Sequence, residues 1–273
     1  MRAVTDAGAG PRRKQTVLKW RFVTALLLAP VVLGAIALGF WTILAAILIV
    51  AALAAYELAR ALEIPFPATF GAGALPILLS VPSGASGALA GAVLVLPWTL
   101  LCLTGRAETY TLKGILALLL MALWVGVPLA HLGLLEGLPG GLFLVLLAVV
   151  GPWISDTGAY FIGRLFGRHK LFSTLSPKKT VEGALGGLLL TMIIAGFLAH
   201  EFLGYGIAAS AMLGAAISTF SQAGDLFESA LKRLLNHKDL GNLLPGHGGI
   251  LDRMDSLLFS APAVYYLCVI FTP

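Results

Sequence analysis

Charge is what this sequence has least of. Of its 273 residues, 11% are Asp, Glu, Lys or Arg and 59% are hydrophobic. Soluble domains carry roughly 25% charged residues, so a soluble globular chain is excluded. Cysteine is scarce as well. Cys102 and Cys268 are the full complement; both lie in apolar runs, on opposite sides of the predicted topology. A disulfide framework is excluded, and the two read as small buried hydrophobes. The alternating segments of about ten residues that mark a membrane β-barrel are missing. So are a Walker A pattern and any paired-histidine spacing, which excludes a P-loop and a histidine-held metal. A net charge of +5 with no soluble basic domain excludes nucleic acid as the partner. It fits membrane orientation and anionic ligands instead.

Long apolar runs are what the sequence does have. Runs of about 18 residues can each cross a ~30 Å hydrocarbon core as a helix, and only helices satisfy their own backbone groups in lipid. The predicted fold is therefore all-α: a polytopic integral membrane protein. Its nine spans run over 21–39, 41–59, 67–83, 86–104, 113–133, 140–163, 182–200, 206–232 and 250–271. The polar, basic residues 1–20 look like the start of a signal peptide. Apolar sequence then continues from 22 to 55, too long for one, and fits two spans. Pro30, Pro152 and Pro262 are predicted to kink their helices. The 18 Lys and Arg cluster in 1–20, 60–66, 105–112, 164–181 and 233–249, or within a turn or so of them. The opposite loops hold Glu136, Glu201, His131 and His200, the two histidines reading as structural. This asymmetry predicts a cytoplasmic N-terminus and an outer C-terminus. The chain divides into a basic N-terminal segment (1–20), a first set of helices (21–135) and a C-terminal region that carries the chemistry (136–273).

Ionisable residues at membrane depth are candidates for function, and here they gather in the C-terminal region. Asp156 lies in the cytoplasmic half of the sixth span. Asp225 and Glu228 lie near the cytoplasmic end of the eighth, and Asp252 and Asp255 open the ninth. The i, i+3 spacing puts each of the latter pairs on one helix face, with Ser229 joining Asp225 at i+4. Clustered carboxylates repel one another unless cations are bound among them, and a hard divalent ion such as Mg²⁺ suits oxygen ligands. Ion pairing with neighbouring Lys and Arg is the simpler alternative. The segment 164–181 supplies Arg164, Arg168, Lys170, Lys178 and Lys179, with Ser176 and Thr180. Lys232, Arg233 and Lys238 follow the eighth span, and Arg253 lies between the last two acids. The Gly-rich turn Pro245–Gly249 opens the ninth helix. Gly248 and Gly249 would let backbone N–H groups approach an anion at that helix N-terminus. His247 could donate a hydrogen bond or proton there, or simply stabilise the turn. Metal, cationic side chains and a helix N-terminus are the parts needed to hold a nucleoside triphosphate.

These residues also resemble a family. Ser229-Ala-Leu-Lys232-Arg233, then Lys238-Asp239-Leu-Gly241, then Leu244-Pro245-Gly-His247-Gly248-Gly249-Ile-Leu-Asp252-Arg253-Met-Asp255 is similar to the signature of the phosphatidate cytidylyltransferases. Asp156–Tyr160 and Ser176–Thr180 resemble further segments of that family, with Val181 in place of an aromatic residue. The likeness covers about residues 150–260. It implies transfer of the cytidylyl group of CTP to phosphatidate, giving CDP-diacylglycerol and pyrophosphate. It also implies Mg²⁺, a second, monovalent cation such as K⁺ beside it, and a homodimer in the inner membrane of a bacterium. Asp225 and Asp252 would be the metal ligands, with Glu228 and Asp255 as further candidates. Lys232, Ser229 and His247 would take part in catalysis. Lys178, Lys179, Arg233, Lys238, Gly248, Gly249, Arg253 and Asp156 would bind substrate. Other CTP-using lipid enzymes, such as a polyprenol kinase or a cytidylyltransferase for an archaeal-type lipid, share these parts. A secondary transporter would place its acids near the midplane, and a CDP-alcohol phosphotransferase would carry D-x-x-D-G-x-x-A-R, which is missing.

Overall fold

A computed structural model describes residues 30–104, 112–173, 175–235, 240, 241, 243 and 248–271. Apolar composition produces helix after helix. They are α1 (Phe40–Leu62), α2 (Phe66–Thr104), α3 (Leu112–Leu120), α4 (Val127–Glu136), α5 (Gly141–Phe166), α6 (Val181–Leu203), α7 (Ile207–Leu234) and α8 (Leu251–Phe271). Residues 30–37 form a further helical stretch before α1. A π-helical turn, Met121–Gly126, joins α3 to α4. The protein is an all-α, multi-pass membrane protein. Among the described residues, six helices are long and apolar enough to cross a membrane: α1, α2, the α3–α4 unit, α5, α6 and α8. Helix α7 is less apolar: its first 18 residues hold Ser210, Ser218, Thr219, Ser221 and Gln222, and its C-terminal turns carry Asp225, Glu228, Lys232 and Arg233.

Helix α2 contains both the third and the fourth expected span. Gly84, at φ 60° and ψ −145°, interrupts it, and the two halves fold back on each other. Trp98 Nε1 donates to the carbonyl of Ala68 at 2.9 Å, and Gly91 packs against the backbone of Pro76. A left-handed φ of this kind favours glycine. Helix α5 runs on through Pro152 and α8 through Pro262; the sharp break comes at Gly84.

The segment 164–181, expected as a loop, contains a small antiparallel hairpin, β1 (Lys170–Phe172) with β2 (Ser176–Thr180), pairing Lys170 with Thr180 and Phe172 with Ser176. Thr180 ends the hairpin and starts α6, its Oγ1 accepting from the N–H of Gly183 at 3.1 Å. That is an N-cap, so this hydroxyl is committed to the fold. Glu182 ties the hairpin's entry to the same helix end. It accepts from the N–H groups of Arg168 and His169 and from Nδ1 of His169 at 2.6 Å.

Helices α5 to α8 pack in sequence, each against the next, at glycine contacts. On α6, Gly183, Gly186 and Gly187 lie against α5, so closely that an added Cβ at Gly186 would overlap Ile162. Gly214 of α7 meets the backbone of Thr191 and Met192, and Gly224 meets the carbonyl of Asp255 on α8. Small residues let helix backbones approach in this way in membranes. Neither Cys102 nor Cys268 is in a disulfide.

Candidate active site

Asp225, Glu228, Ser229 and Lys232 fall at i, i+3, i+4 and i+7 of α7 and so share one stripe. The close approach at Gly224 brings that stripe against the first turns of α8. Lys232 spans the gap: its Nζ lies 2.7 Å from Glu228 Oε2 and 3.1 Å from Asp252 Oδ1. The Glu228 and Asp252 side chains are 2% and 6% exposed, so water screens this triad little. Oε1 of Glu228 is buried and has no hydrogen-bond partner among the described residues.

The hairpin delivers a second cation. Successive strand residues face opposite sides, and on β2 Lys179 turns inward while Lys178 is exposed. Lys179 Nζ lies 2.5 Å from Asp225 Oδ2. The other oxygen of Asp225 receives Ser229 Oγ at a long 3.4 Å. Asp156 of α5 lies in the electrostatic reach of Asp225, Lys179 and Arg253. Asp255, buried on α8, feels Asp225, Asp156 and Glu228, and thereby joins the two lobes.

All five sequence-predicted carboxylates are thus brought together, with Lys179, Lys232 and Arg253 among them. The structure separates other expected residues from this group. Arg233, one position past Lys232, is exposed on another face of α7. Arg164 donates to the hydroxyl of Tyr160 at 2.7 Å, its own neighbour one turn back. Lys238 and His247 lie outside the described residues. Among the described residues no three Asp, Glu, His or Cys side chains already form a set that could hold a metal ion; the positive charges between the acids are lysine ammoniums.

The start of α8 holds a residue that the sequence pattern did not single out. Glu57, from α1, is 3% exposed. Its Oε1 accepts from the N–H of Ile250 at 2.9 Å and its Oε2 from the N–H of Leu251 at 3.1 Å. Asp252 Oδ2 accepts from the N–H of Gly249 at 2.8 Å. The helix N-terminus expected to receive a ligand's anion therefore already faces two of the protein's own carboxylates. A lone acid inside the otherwise apolar second span was the available signal.

The arrangement is an anionic cluster threaded by lysines, built from α5, α7 and α8. The cationic side chains of such a site can grip a polyphosphate and hold a second anion beside it. Comparison with known proteins points the same way. The phosphatidate cytidylyltransferase of Bacillus subtilis (strain 168) is 38% identical over 187 residues, which span 68% of each chain. The protein of that name from Staphylococcus saprophyticus is 47% identical over 131 residues, 47% of this chain and 50% of its own. That from Staphylococcus aureus (strain COL) is 43% identical over the same length. The family model described as "Cytidylyltransferase family" matches residues 19–271. With nearly the whole chain matched, and Lys232, Asp252 and Asp255 of its signature gathered in one cluster, this protein belongs to the cytidylyltransferase family.

Proposed function

We infer that this protein transfers the cytidylyl group of CTP to phosphatidate in a membrane, giving CDP-diacylglycerol and pyrophosphate for phospholipid synthesis. The observation that carries the reading is the lysine-threaded carboxylate pocket of α7 and α8, in a chain of this family. An oxygen of the lipid phosphate bonds to the α-phosphorus of CTP. The bond from that phosphorus to the oxygen bridging to the β-phosphorus breaks, and its electron pair leaves with pyrophosphate. The lipid phosphate is already anionic, so no serine or cysteine nucleophile and no strong base is needed. The obstacle is bringing one anion onto another, and positioned cations lower it. Lys232 is placed for this: an ammonium has three donors, and its two carboxylate contacts leave one for a phosphate oxygen. Lys179 and Arg253 flank the other lobe. Asp156, Ser229 and the Gly248–Gly249 segment shape the pocket walls.

The donor set also has the chemistry of a divalent-cation site, because a hard cation takes carboxylate oxygens. Asp156, Asp225, Glu228, Asp252 and Asp255 face Lys179, Lys232 and Arg253, so the carboxyl groups outnumber the cations among them. Glu228 keeps an unpartnered buried oxygen. Asp225 and Asp252, with Glu228 and Asp255, are the residues we propose to hold Mg²⁺, with a monovalent cation beside it. Bound there, Mg²⁺ would neutralise charge on the triphosphate and the departing pyrophosphate.

The test is the purified protein in detergent with CTP, phosphatidate and Mg²⁺. CDP-diacylglycerol and pyrophosphate should form in equal amounts, and EDTA should stop both. Product from a different lipid acceptor in place of phosphatidate would overturn the substrate. Activity indifferent to EDTA would overturn the metal.

We propose further that the chain crosses a bacterial plasma membrane nine times, N-terminus inside and C-terminus outside, with the pocket on the cytoplasmic face. The clustering of Lys and Arg supports this orientation. A cysteine placed by Leu175→Cys should then react with reagents from the cytoplasmic side, and one placed by Leu203→Cys from the outside; the reverse pattern refutes it. The homodimer that the family resemblance implies is a matter for sedimentation of the solubilised protein, where a monomer would refute it.

A further inference from the structure

We propose that Glu57 is a positioning residue for this reaction: it is the built-in anion of the α8 N-terminus, and it sets the place of the glycine-rich segment and of Asp252. The proposal rests on the reading of the pocket as the cytidylyltransferase site.

Three independent features of the structure meet at Glu57. The first is burial. A carboxylate 3% exposed inside a membrane protein needs full compensation, because an unpaired buried charge is costly. The second is where that compensation comes from. Both oxygens are used: they accept from the backbone N–H groups of Ile250 and Leu251 at the N-terminus of α8, 193 and 194 residues along the chain. A helix N-terminus presents unpaired N–H groups and the positive end of the dipole, so the acid and the helix start satisfy each other. The third is the cradle. An added Cβ on Gly249 would come 2.6 Å from Glu57 Oε2, and one on Gly241 would overlap Oε1. Two glycines of the family-like signature are therefore explained by room for this carboxylate. Neither has a left-handed φ; in this segment that belongs to Gly248, at φ 84°.

The consequence for the reaction runs through Asp252, one turn into α8. It holds the N–H of Gly249 with one oxygen and Lys232 with the other. Glu57 fixes the residues on either side of that contact, Gly249 by packing and Ile250 and Leu251 by hydrogen bonds. It touches neither lysine of the pocket in the contacts described above. It acts by keeping the first turn of α8 in register with α7. It also withdraws the N–H groups of Ile250 and Leu251 from any ligand, which leaves phosphate recognition to the cationic side chains. And it gives the first set of helices a direct hold on the site, from α1.

Glu57→Gln tests this. The amide keeps the shape but turns an NH₂ toward one of the two N–H donors. In the full-length, solubilised protein, kcat for CDP-diacylglycerol formation should fall by about 10- to 100-fold, as for other residues that orient site ligands. Amide exchange should accelerate in 248–252 and stay unchanged in α5 and α6. Glu57→Asp, which keeps the charge on a shorter arm, should recover part of both. Wild-type kcat and exchange in Glu57→Gln would overturn the proposal, as would faster exchange through all helices. Where Glu57→Gln does not fold, Glu57→Asp decides: unchanged kcat and exchange would overturn the proposal. A wild-type protein inactive with CTP and phosphatidate would refute the proposed reaction, while the exchange measurement would still report on Glu57.

Discussion

Polar groups are satisfied differently in the two halves of the molecule. In α1 to α4 the buried hydroxyls and His131 turn back onto their own helix. Thr69 donates to the carbonyl of Pro65, Ser80 to Ile77, Thr99 to Val95, and Nδ1 of His131 to Val127. In α5 to α8 Thr191 and Ser260 do the same, onto Gly187 and Leu257, but others reach across. Ser155 of α5 meets Ser218 of α7 at 2.7 Å, Gln222 of α7 donates to the carbonyl of Ala184 on α6, and Lys232 of α7 holds Asp252 of α8. A helix that satisfies its own polar groups can sit against lipid or neighbours without a fixed register. Cross-helix bonds, together with glycine contacts, fix register, and a site assembled from three helices depends on it. The first half is the apolar scaffold, and among its described residues Glu57 is the carboxylate that leaves its own helix for the site.

The sharpest way to break this contrast is at the cross-helix acids. Asp225→Asn and Asp252→Asn keep size and remove charge. Each should abolish CDP-diacylglycerol formation while the protein remains folded and membrane-inserted, as judged by its thermal transition. Because both are proposed to serve one ion, the double variant should be little worse than either single one. Full activity in either variant would move the chemistry away from the α7–α8 pocket.

Much of this was legible in the sequence, for identifiable reasons. An apolar run in lipid has one backbone solution, so helix bounds follow composition closely: 182–200 was expected and α6 is Val181–Leu203. The turn near residue 84 was legible because Gly and Pro punctuate it. The gathering of Asp156, Asp225, Glu228, Asp252 and Asp255 was legible from their shared depth. The hairpin of β1 and β2 was not, because two strands this short show no alternation. The π-turn at Met121–Gly126 leaves no mark in an unbroken apolar run. Glu57 was missed because its partners lie in a different helix far along the chain, and a single acid among apolar residues shows no spacing. The splitting of the lysines was also hidden. Lys178 and Lys179 are equivalent as letters, and only the strand's two faces tell them apart.

That last distinction gives the finest test. Lys232 is nearly enclosed, its side chain 17% exposed between Glu228 and Asp252. Arg233 follows it on the same helix, and Lys178 precedes Lys179 on the same strand, but both face solvent. Exposed charges are screened and contribute little at a distance, whereas a cation among buried carboxylates acts at low dielectric. Lys232→Ala should therefore lower kcat/KM by roughly 10²-fold or more, equal to about 2.7 kcal/mol of lost transition-state stabilisation. Part of that loss would come from leaving Glu228 and Asp252 without their shared counter-charge. Arg233→Ala and Lys178→Ala should each change kcat/KM by only a few-fold, and raised ionic strength should shrink that difference further. If Arg233→Ala or Lys178→Ala matches Lys232→Ala, then substrate binding draws these outward cations into the pocket, and burial in this structure does not mark the residues that meet phosphate.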